Sequence, residues 1–457
     1  MDWLLERIKA AGVARFLVRH DEVASYAELA VAVERADERA GNAGVAAGDV
    51  VALMTDYSVA ATGWLLALVR RRAVVVPLVA SGDEALAKLR EGHVTWRVDF
   101  ERDPGGVMTR SCGEVEGHPL LERLRTAGRA GLILFSSGSA GAPKAMIHDL
   151  DTLIDSYRER RGRTLTMLAF LLFDHIGGLN TLLHGLASGL CLVVPPSRDP
   201  EVVAAQVEKH GINILPASPT FLNLLLMSGA TGRHDFSSLR VVTYGTEPMP
   251  ESLLLRLKTA LPRVKLIQTF GTSETGIAVA SSASSTSTML RVDDPNLETR
   301  VVDGELWLRS KTQILGYLNH DMGRFTADGW FRTGDLVEEG DGGFIRIVGR
   351  RTEMINVGGL KVLPGEVESV LLEMAEIVDC LVYGEANQIT GQVVAAEVVP
   401  ASGTDPQVIK ARMRAHCRGR LEPYKIPARI KIVPRIVYGD RFKKKRPQEA
   451  GNSANAG

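Results

Sequence analysis

The sequence predicts an α/β protein with a large N-terminal domain of helix-covered, mostly parallel sheets, a β-rich subdomain and a small α+β C-terminal domain. Helical and strand patterns alternate over residues 26–95 and again from about residue 190, as in parallel sheets whose crossovers are helices. From about Leu290 short strands with glycine turns take over, and after Arg350 a smaller α/β pattern begins. The length of 457 residues suits two or three domains.

The individual segments are assigned by their spacing. Helices carry apolar residues three or four apart and stop near glycine, and buried strands are short apolar runs. An amphipathic helix begins in MDWLLERIKAAG, and the tail GNSANAG is expected to be disordered. The alternating segments are YAELAVAVERADERAGNAGV, DVVALMT, SVAATGWLLALVRRR, AVVVPLV, GLCLVVPP, EVVAAQVEKHG, INILPAS, PTFLNLLLMSG, LRVVTYG, PESLLLRLKTAL and VKLIQTFG. The β-rich segments are VVDGELWLRS, GWFRTGDLVEEGDGGFIRIVG and RRTEMINVGGLKV, and the last unit holds PGEVESVLLEMAEI, VDCLVYGE, VVAAEVVP and DPQVIKARMRAHCRGRL.

Composition excludes several classes of protein. Lys plus Arg and Asp plus Glu both number 54, so bulk charge does not favour a partner such as nucleic acid or an acidic membrane. The four cysteines show no CxxC spacing, which argues against a zinc or redox motif and fits reduced thiols. The N-terminus lacks signal-peptide features and no apolar run approaches ~20 residues. We therefore expect a cytoplasmic protein without a membrane span, and high Ala, Gly and Arg usage suggests a bacterial source.

The most informative stretch is LILFSSGSAGAPKAMIHDL, residues 132–150. A glycine-rich turn can aim several backbone N–H groups at one anion, and serine hydroxyls and a lysine add donors and charge. A Walker-type loop is disfavoured, because Pro143 precedes Lys144 and Ala145 stands where Ser or Thr would hold magnesium. The loop therefore predicts a phosphate-bearing ligand, and a plain flexible linker is the competing interpretation.

Six stretches in one order carry a further resemblance. They are SSGSAGAPKAMIH, TYGTEPMP, QTFGTSETG, GELWLRS with GYL, GWFRTGDL, and GRRTEMINVGGLKVLPGEVE, and LEPYKIPARIKIVPRI follows them. Together they resemble the motifs of the adenylate-forming ligase superfamily, which includes acyl-CoA synthetases, luciferases and peptide-synthetase adenylation domains. The Gly-Gly-x-Lys-Val-x-Pro-x-Glu-Val-Glu run looks more like acyl-CoA synthetases. The resemblance covers nearly the whole chain.

The resemblance implies an ATP site and a set of residues for it. Glu274 would help hold Mg²⁺, a cation that prefers oxygen ligands, and Asp335 would accept hydrogen bonds from the ribose hydroxyls, a role that suits an acceptor-only carboxylate. Arg350 would reach the ribose. The implied nucleotide-binding residues are Ser136, Ser137, Gly138, Ser139, Gly141 and Lys144 in the phosphate loop, Gly245, Thr246, Glu247 and Pro248 against the adenine, Phe270 stacked near it, and Gly271, Thr272 and Ser273 near the α-phosphate.

The resemblance also implies two domains that move. An ATP- and acid-binding domain would span residues 1–349, a hinge 350–352 and a mobile lid 353–450, with 451–457 as a disordered tail. The family's catalytic lysine follows a glycine, but here Gly439 is followed by Asp440. We assign the role to Lys443, which restores the Lys-x-x-Arg spacing, with Lys444 as the alternative.

The acid is expected to bind beside LLFDHIGGLNTLLHGL. His175 would act as a catalytic residue that gates or orients the carboxylate, while Phe173-Asp174 also fits domains that bind an amino acid's ammonium. An apolar or aryl acid is favoured, and an amino acid stays open. The predicted pocket residues are Asp174, His175, Gly178, Ser218 and Tyr244.

The implied function is ATP-dependent conversion of a carboxylic acid to an acyl-adenylate with release of pyrophosphate, followed by transfer to a thiol. We expect no carrier domain on this chain, so the thiol would belong to coenzyme A or to the phosphopantetheine of a separate carrier protein. A non-catalytic nucleotide-binding regulator with the same fold is the alternative from another class, favoured by Ala145 and the irregular GDRFKKKRP.

Overall fold

The helices follow the predicted periodicity and have recognisable ends. The computed structural model describes residues 1–111, 117–136, 143–439, 444 and 446. The second helix begins with a capping box between Ser25 and Glu28 and ends at Gly44, which has φ 85°, a conformation that glycine adopts without strain. The helices are α1 Asp2–Ala11, α2 Tyr26–Ala43, α3 Val59–Arg70, α4 Gly82–Glu91, α5 Pro119–Thr126, α6 Leu150–Asp155, α7 Ile176–Ser188, α8 Pro200–His210, α9 Pro219–Met227, α10 Glu251–Ala260, α11 Pro364–Leu371 and α12 Pro406–Cys417.

The strands of the N-terminal half are short, and the central parallel ones are apolar, as expected for strands that are buried on both faces. The antiparallel edge strands β2 and β6 are more exposed. They are β1 Arg15–Arg19, β2 Glu22–Ser25, β3 Val50–Met54, β4 Val74–Leu78, β5 Trp96–Asp99, β6 Val107–Arg110, β7 Gly131–Ser136, β8 Lys144–Asp149, β9 Thr166–Leu168, β10 Cys191–Val194, β11 Ile214–Ala217, β12 Val241–Tyr244 and β13 Lys265–Gln268.

The later strands alternate more in burial and are joined by turns. They are β14 Phe270–Thr272, β15 Gly276–Ala278, β16 Ala280–Ser282, β17 Leu290–Val292, β18 Leu297–Val302, β19 Glu305–Ser310, β20 Gly316–Tyr317, β21 Phe331–Glu339, β22 Ile345–Arg350, β23 Ile355–Val357, β24 Leu360–Val362, β25 Ile377–Asn387, β26 Gly391–Pro400 and β27 Arg429–Ile432.

Two sheets build the N-terminal part. One has the order β13-β12-β11-β9-β10-β1-β2 and is parallel except at β2. The other has the order β20-β8-β7-β4-β3-β5-β6, parallel in its centre and antiparallel at β6, β8 and β20. A shared hydrophobic core joins them through α2, α3 and α7, with Leu17 and Leu192 from the first sheet and Val51 and Leu132 from the second. The predicted α/β class is confirmed.

The predicted change to short strands and turns after Leu290 is also confirmed. An antiparallel sheet of order β16-β17-β22-β21-β19-β18 surrounds its own core, which includes Phe270 and Leu306. A last sheet, β24-β23-β26-β25 with β27 on β26, packs against α11 and α12 around residues such as Val367 and Met413. The last unit touches the first where the Asn223 amide donates to the Val378 carbonyl oxygen at 3.2 Å. The domain boundaries themselves stay predictions.

Candidate functional site

The phosphate-loop prediction falls on the connection between β7 and β8. Ser136 and Lys144 are direct partners across this antiparallel pair, so the ladder fixes both ends of the loop. Ser137, Gly138, Ser139 and Gly141 lie outside the described residues. The Lys144 ammonium stands 5.9 Å from the centre of the Tyr317 ring. The strand ladder therefore places a positive charge at the base of the predicted loop.

Asn319 anchors the backbone on both sides of that lysine. Its amide nitrogen donates to the Pro143 carbonyl oxygen at 2.8 Å, and its amide oxygen accepts from the Ala145 N–H at 3.0 Å. The same nitrogen donates to the Glu91 carboxylate at 2.8 Å. Sequence reasoning missed this residue, although it directly follows the GYL block. Its contacts fix the exit of the phosphate loop.

Glu274 lies on the other side of Tyr317. The Tyr317 hydroxyl donates to Glu274 Oε1 at 3.1 Å, and the Ile314 N–H donates to the Glu274 carbonyl oxygen at 2.8 Å. Tyr317 occupies the edge strand β20, paired with β8, and burial followed by the Glu274 charge raises its pKa. The hydroxyl therefore stays a donor. Lys144, Tyr317 and Glu274 form one chain of contacts.

The turn that carries Glu274 also joins β14 and β15 into a hairpin. A Cβ on Gly271 would meet the Gly276 carbonyl oxygen at 2.3 Å, so this hairpin between β14 and β15 needs glycine there. Thr272 Oγ1 accepts the Thr275 N–H at 3.1 Å. Phe270 is 6% exposed and packs in the core of the β-rich sheet. Its predicted stacking near adenine stays a prediction, as does the α-phosphate contact of Ser273.

The pairing of two antiparallel strands places Asp335 next to Arg350. They are register partners across β21 and β22, and Arg350 Nε donates to Asp335 Oδ1 at 2.9 Å. Asp335 is 5% exposed, and this burial raises the pKa of its carboxyl although Arg350 opposes the shift. A nearly buried carboxylate with one oxygen held by a guanidinium is a fixed acceptor.

The charge of Glu274 links these two groups of residues. Asp335 chiefly, and Glu353 and Glu274 to a smaller extent, raise the pKa of the Arg350 guanidinium. The charge of Glu274 thus reaches Arg350, and Tyr317 joins Glu274 to the lysine at the loop. Contacts and charge thus relate the predicted residues Lys144, Glu274, Asp335 and Arg350, and their common role at a nucleotide stays a prediction.

The loop after β12 carries the predicted adenine contacts. Gly245 is required, because a Cβ there would meet the Thr269 carbonyl oxygen at 2.7 Å. Thr246 has φ 75°, which is strained for a β-branched residue and explains why glycine suits this place. Glu247 Oε1 accepts the Thr220 N–H at the start of α9 at 2.7 Å. Pro248 is exposed.

The residues predicted for the acid pocket include Asp174 and His175, which lie at the start of α7. His175 is the N-cap residue of that helix and its Nε2 lies 3.8 Å from Asp174 Oδ1. Asp174 Oδ2 accepts the Val79 N–H, 3.4 Å away at the end of β4. Since the carboxyl ends of parallel strands are where ligands bind in such sheets, the position suits a substrate site. The roles of both residues stay predictions.

Three predicted pocket residues have other positions. The expected room at Gly178 is filled, since a Cβ there would meet the Leu172 carbonyl oxygen at 1.8 Å. Ser218 is 2% exposed and its hydroxyl caps α9 by accepting the Phe221 N–H. Tyr244 is 1% exposed and packs among the apolar residues beside β11. These three residues have roles in the fold, and their predicted place in the acid pocket stays a prediction.

Lys443 lies outside the described residues, but its neighbour has a clear role. Lys444 donates to the Cys380 carbonyl oxygen and lies 3.1 Å from Asp379. Burial alone would lower its pKa, yet Glu368 and Asp379 outweigh that effect and raise it. Lys444 therefore serves here as a buried ion-pair partner, and the choice between Lys443 and Lys444 as the catalytic lysine stays a prediction.

Two features are absent from the described ranges. No group of three or more His, Cys, Asp or Glu side chains gathers there as a metal site. Within those ranges no helix is both long and apolar enough to cross a membrane.

Comparison with known proteins identifies the family of this chain. The AMP-binding enzyme family matches residues 81–318 and its C-terminal domain matches 366–438. The chain is 30% identical over 330 residues to 4-coumarate–CoA ligase-like 2 of Arabidopsis thaliana, covering 66% of this chain and 58% of that protein. It is 28% identical over 472 residues to indoleacetate–CoA ligase of Aromatoleum aromaticum, covering 91% of each. An anthranilate CoA ligase solved with anthranoyl-AMP shares the fold, with TM-score 0.81 and 19% identity over 96% of this chain and 95% of that one. The chain therefore belongs to the AMP-binding enzyme family, the adenylate-forming superfamily whose motifs its sequence resembles.

Proposed function

We propose that the protein is an AMP-forming acid–thiol ligase that activates a carboxylic acid with ATP and passes the acyl group to coenzyme A. The observation that carries the proposal is the series of contacts that joins Lys144 through Tyr317 to Glu274 and pairs Asp335 with Arg350. The family match and the CoA ligases among the relatives support the same reaction.

In the first step a carboxylate oxygen of the acid bonds to the α-phosphorus of ATP, and pyrophosphate leaves with the electrons of the broken P–O bond. An anion must approach a polyanion, so the protein's main task is alignment and charge neutralisation. Lys144 and the Ser136 end of the loop would hold the phosphates. In the second step the thiol sulfur bonds to the acyl carbon and AMP leaves.

Asp335 would fix the sugar. Arg350 holds its Oδ1 at 2.9 Å, and we assign Oδ2 to the ribose hydroxyls. A carboxylate can accept two hydroxyl donors, which suits a vicinal diol.

The residues present fit a magnesium ion. Glu274 offers a carboxylate whose Oε1 already accepts the Tyr317 hydroxyl, and oxygen donors of this kind are what Mg²⁺ prefers. Glu274 would hold the ion, which would neutralise phosphate charge when bound. The cytoplasmic location and bacterial source expected from the sequence belong to the same proposal.

The acid is proposed to be aryl or apolar, because the relatives include ligases named for coumarate and indoleacetate. His175 would orient its carboxylate. An amino acid as the substrate, or a carrier-protein thiol as the acceptor, would differ from what the names of these relatives indicate.

We propose that the unit after residue 352 rotates between the two steps, about the hinge at 350–352. Arg350 and Arg351 are paired with Asp335 and Glu305 of the first unit. Glu353 is paired with Arg446 of the last. These pairs hold the chain on either side of Thr352.

ATP–pyrophosphate exchange with a panel of aryl, fatty and amino acids tests the proposal. We expect exchange with an aryl or apolar acid and AMP release when coenzyme A is added. The variant Glu274→Gln should lose exchange, while the exposed-site control Glu338→Gln should keep it. Nucleotide binding without exchange for any acid would favour a non-catalytic regulator instead.

The assignment of Lys443 is tested by separating the steps. Lys443→Ala should abolish acyl-adenylate formation and spare thioester formation from a supplied acyl-adenylate. Equal loss of both steps would contradict the assignment.

A further inference from the structure

An arginine-rich cavity lies away from the candidate site. Its walls are Arg7 on α1, residues 158–162 and the end of α7 at 186–189, and its volume is about 560 Å³. His175 stands at the opposite end of α7. The helix spans Ile176–Ser188, so at 1.5 Å per residue the two ends are about 20 Å apart. The cavity therefore lies away from the acid site predicted at His175. None of its lining residues belongs to the nucleotide cleft that Lys144, Glu274, Asp335 and Arg350 would form.

Arg7 fixes the cavity wall. Its guanidinium donates to the carbonyl oxygens of Arg158 at 2.7 Å, Arg160 at 3.0 Å and Ala187 at 2.9 Å. The last carbonyls of a helix have no partner within the helix, so Arg7 closes the end of α7 and holds the 158–160 backbone against it. The neighbouring arginines project from a segment whose backbone is held in place.

The positive charge in the cavity is largely uncompensated. Arg158 pairs with Asp155 at 2.9 Å, but no ion pair involves Arg160, Arg161 or Arg163 within the described part of the chain. Glu159 is the acidic residue among those that line the cavity. Because the whole chain has equal numbers of acidic and basic residues, 54 each, this excess is a local feature of the segment RERRGR.

A neighbouring histidine responds to this charge. Burial, followed by Arg160 and Arg163, lowers the pKa of His184 to about 4. The guanidinium groups thus impose a positive field on their surroundings, which would attract an anion of matching shape.

We infer that this cavity binds a small phosphate-bearing molecule, held by Arg160 and Arg161 against the wall that Arg7 fixes. Guanidinium forks match phosphate oxygens in pairs, and the volume is within the ~300–1,000 Å³ typical of small-ligand sites. The inference is independent of the proposed reaction, because no residue of the nucleotide cleft lines the cavity.

Trp3 provides a local reporter. Its ring centre lies 4.8 Å from the Arg7 guanidinium and 5.7 Å from that of Arg158. Titration of the full-length protein with inorganic pyrophosphate should give a saturable change in tryptophan fluorescence that Trp3→Phe abolishes. The change should persist in Lys144→Gln, which impairs the nucleotide cleft, so the two sites are distinguished.

The matched variants remove equal charge. Arg160→Gln with Arg161→Gln should weaken the Trp3-dependent binding about tenfold or more, because two charge-assisted contacts are lost. Arg35→Gln with Arg435→Gln, which changes two exposed arginines elsewhere, should leave it unchanged. Should the first double variant unfold by circular dichroism, the exposed Arg161→Gln alone replaces it, with at least a threefold loss expected.

Three results would overturn the inference: no Trp3-dependent signal, equal affinity in the Arg160/Arg161 variants and the wild type, or equal weakening by the control pair. Sedimentation with phosphatidylglycerol vesicles, but not phosphatidylcholine vesicles, in the absence of a pyrophosphate response would assign the patch to a membrane surface and reject a small-molecule site.

Discussion

Replacing Asn319 tests whether the exit of the phosphate loop must be held. Asn319→Ala removes the contacts to Pro143, Ala145 and Glu91, so the backbone on both sides of Lys144 loses its support. ATP should bind more weakly because the loop must then be ordered at the expense of binding free energy.

The expected size follows from the geometry. Three hydrogen bonds are lost, and Asn319 is exposed, so each is placed at the low end of the usual range, about 0.5 kcal/mol. Their loss amounts to about 1.5 kcal/mol, or roughly a tenfold rise in the dissociation constant of ATP.

The assay is isothermal titration of ATP, which needs no knowledge of the acid. Asn319→Asp keeps the acceptor for Ala145 but loses both donations and places a carboxylate against Glu91. It should therefore bind ATP more weakly than Asn319→Ala. Adding Glu91→Gln should recover part of the loss, because the new amide can donate to that carboxylate.

Thermal unfolding is the control, and the loss of about 1.5 kcal/mol should lower the melting temperature by only about 2 °C, because the entropy of unfolding is large for 457 residues. Unchanged ATP affinity in Asn319→Ala would refute the reasoning. So would an Asn319→Asp variant that binds ATP as well as the wild type.

Three other predictions concern stability and the arrangement of the two units. Lys444→Met should lower the free energy of unfolding by about 3 kcal/mol in denaturant titrations, because it leaves Asp379 buried without its partner; an unchanged midpoint would contradict the pairing. Burial lowers the pKa of His148 from 6.5 to about 4, so unfolding takes up a proton between those values and stability should fall by about 3 kcal/mol as pH drops from 6.5 to 4. His148→Gln should reduce that slope without abolishing it, because the pKa of His184 is also lowered to about 4; an identical slope would exclude His148 as a cause. Asn223→Ala removes the bond to Val378, worth about 1 kcal/mol, and should slow acyl-adenylate formation about fivefold relative to thioester formation; equal slowing of both steps would argue against a contact specific to one arrangement.

The architecture was predictable from the sequence because its signals are local. A buried parallel strand such as β3 must be a short apolar run, and a helix such as α2 must end where glycine allows a left-handed turn at Gly44. These requirements apply wherever the element lies in the fold, so spacing alone reveals them.

Side-chain roles were less predictable because they depend on distant partners. The hydroxyl of Ser218 caps a helix, and the space at Gly178 is filled by Leu172. Neither outcome can be told from a pocket by sequence spacing. Asn319 was missed because its partner Ala145 is 174 residues away.

The pairing of Asp335 with Arg350 in one ladder has a mechanical consequence. Strand β22 ends at Arg350 and belongs to the sheet that carries Asp335, so both halves of the proposed sugar clamp are rigidly part of one body. If the unit after Thr352 rotates, a nucleotide bound by Asp335 and Arg350 would keep its position. A reactive intermediate would then remain bound until the second substrate arrives.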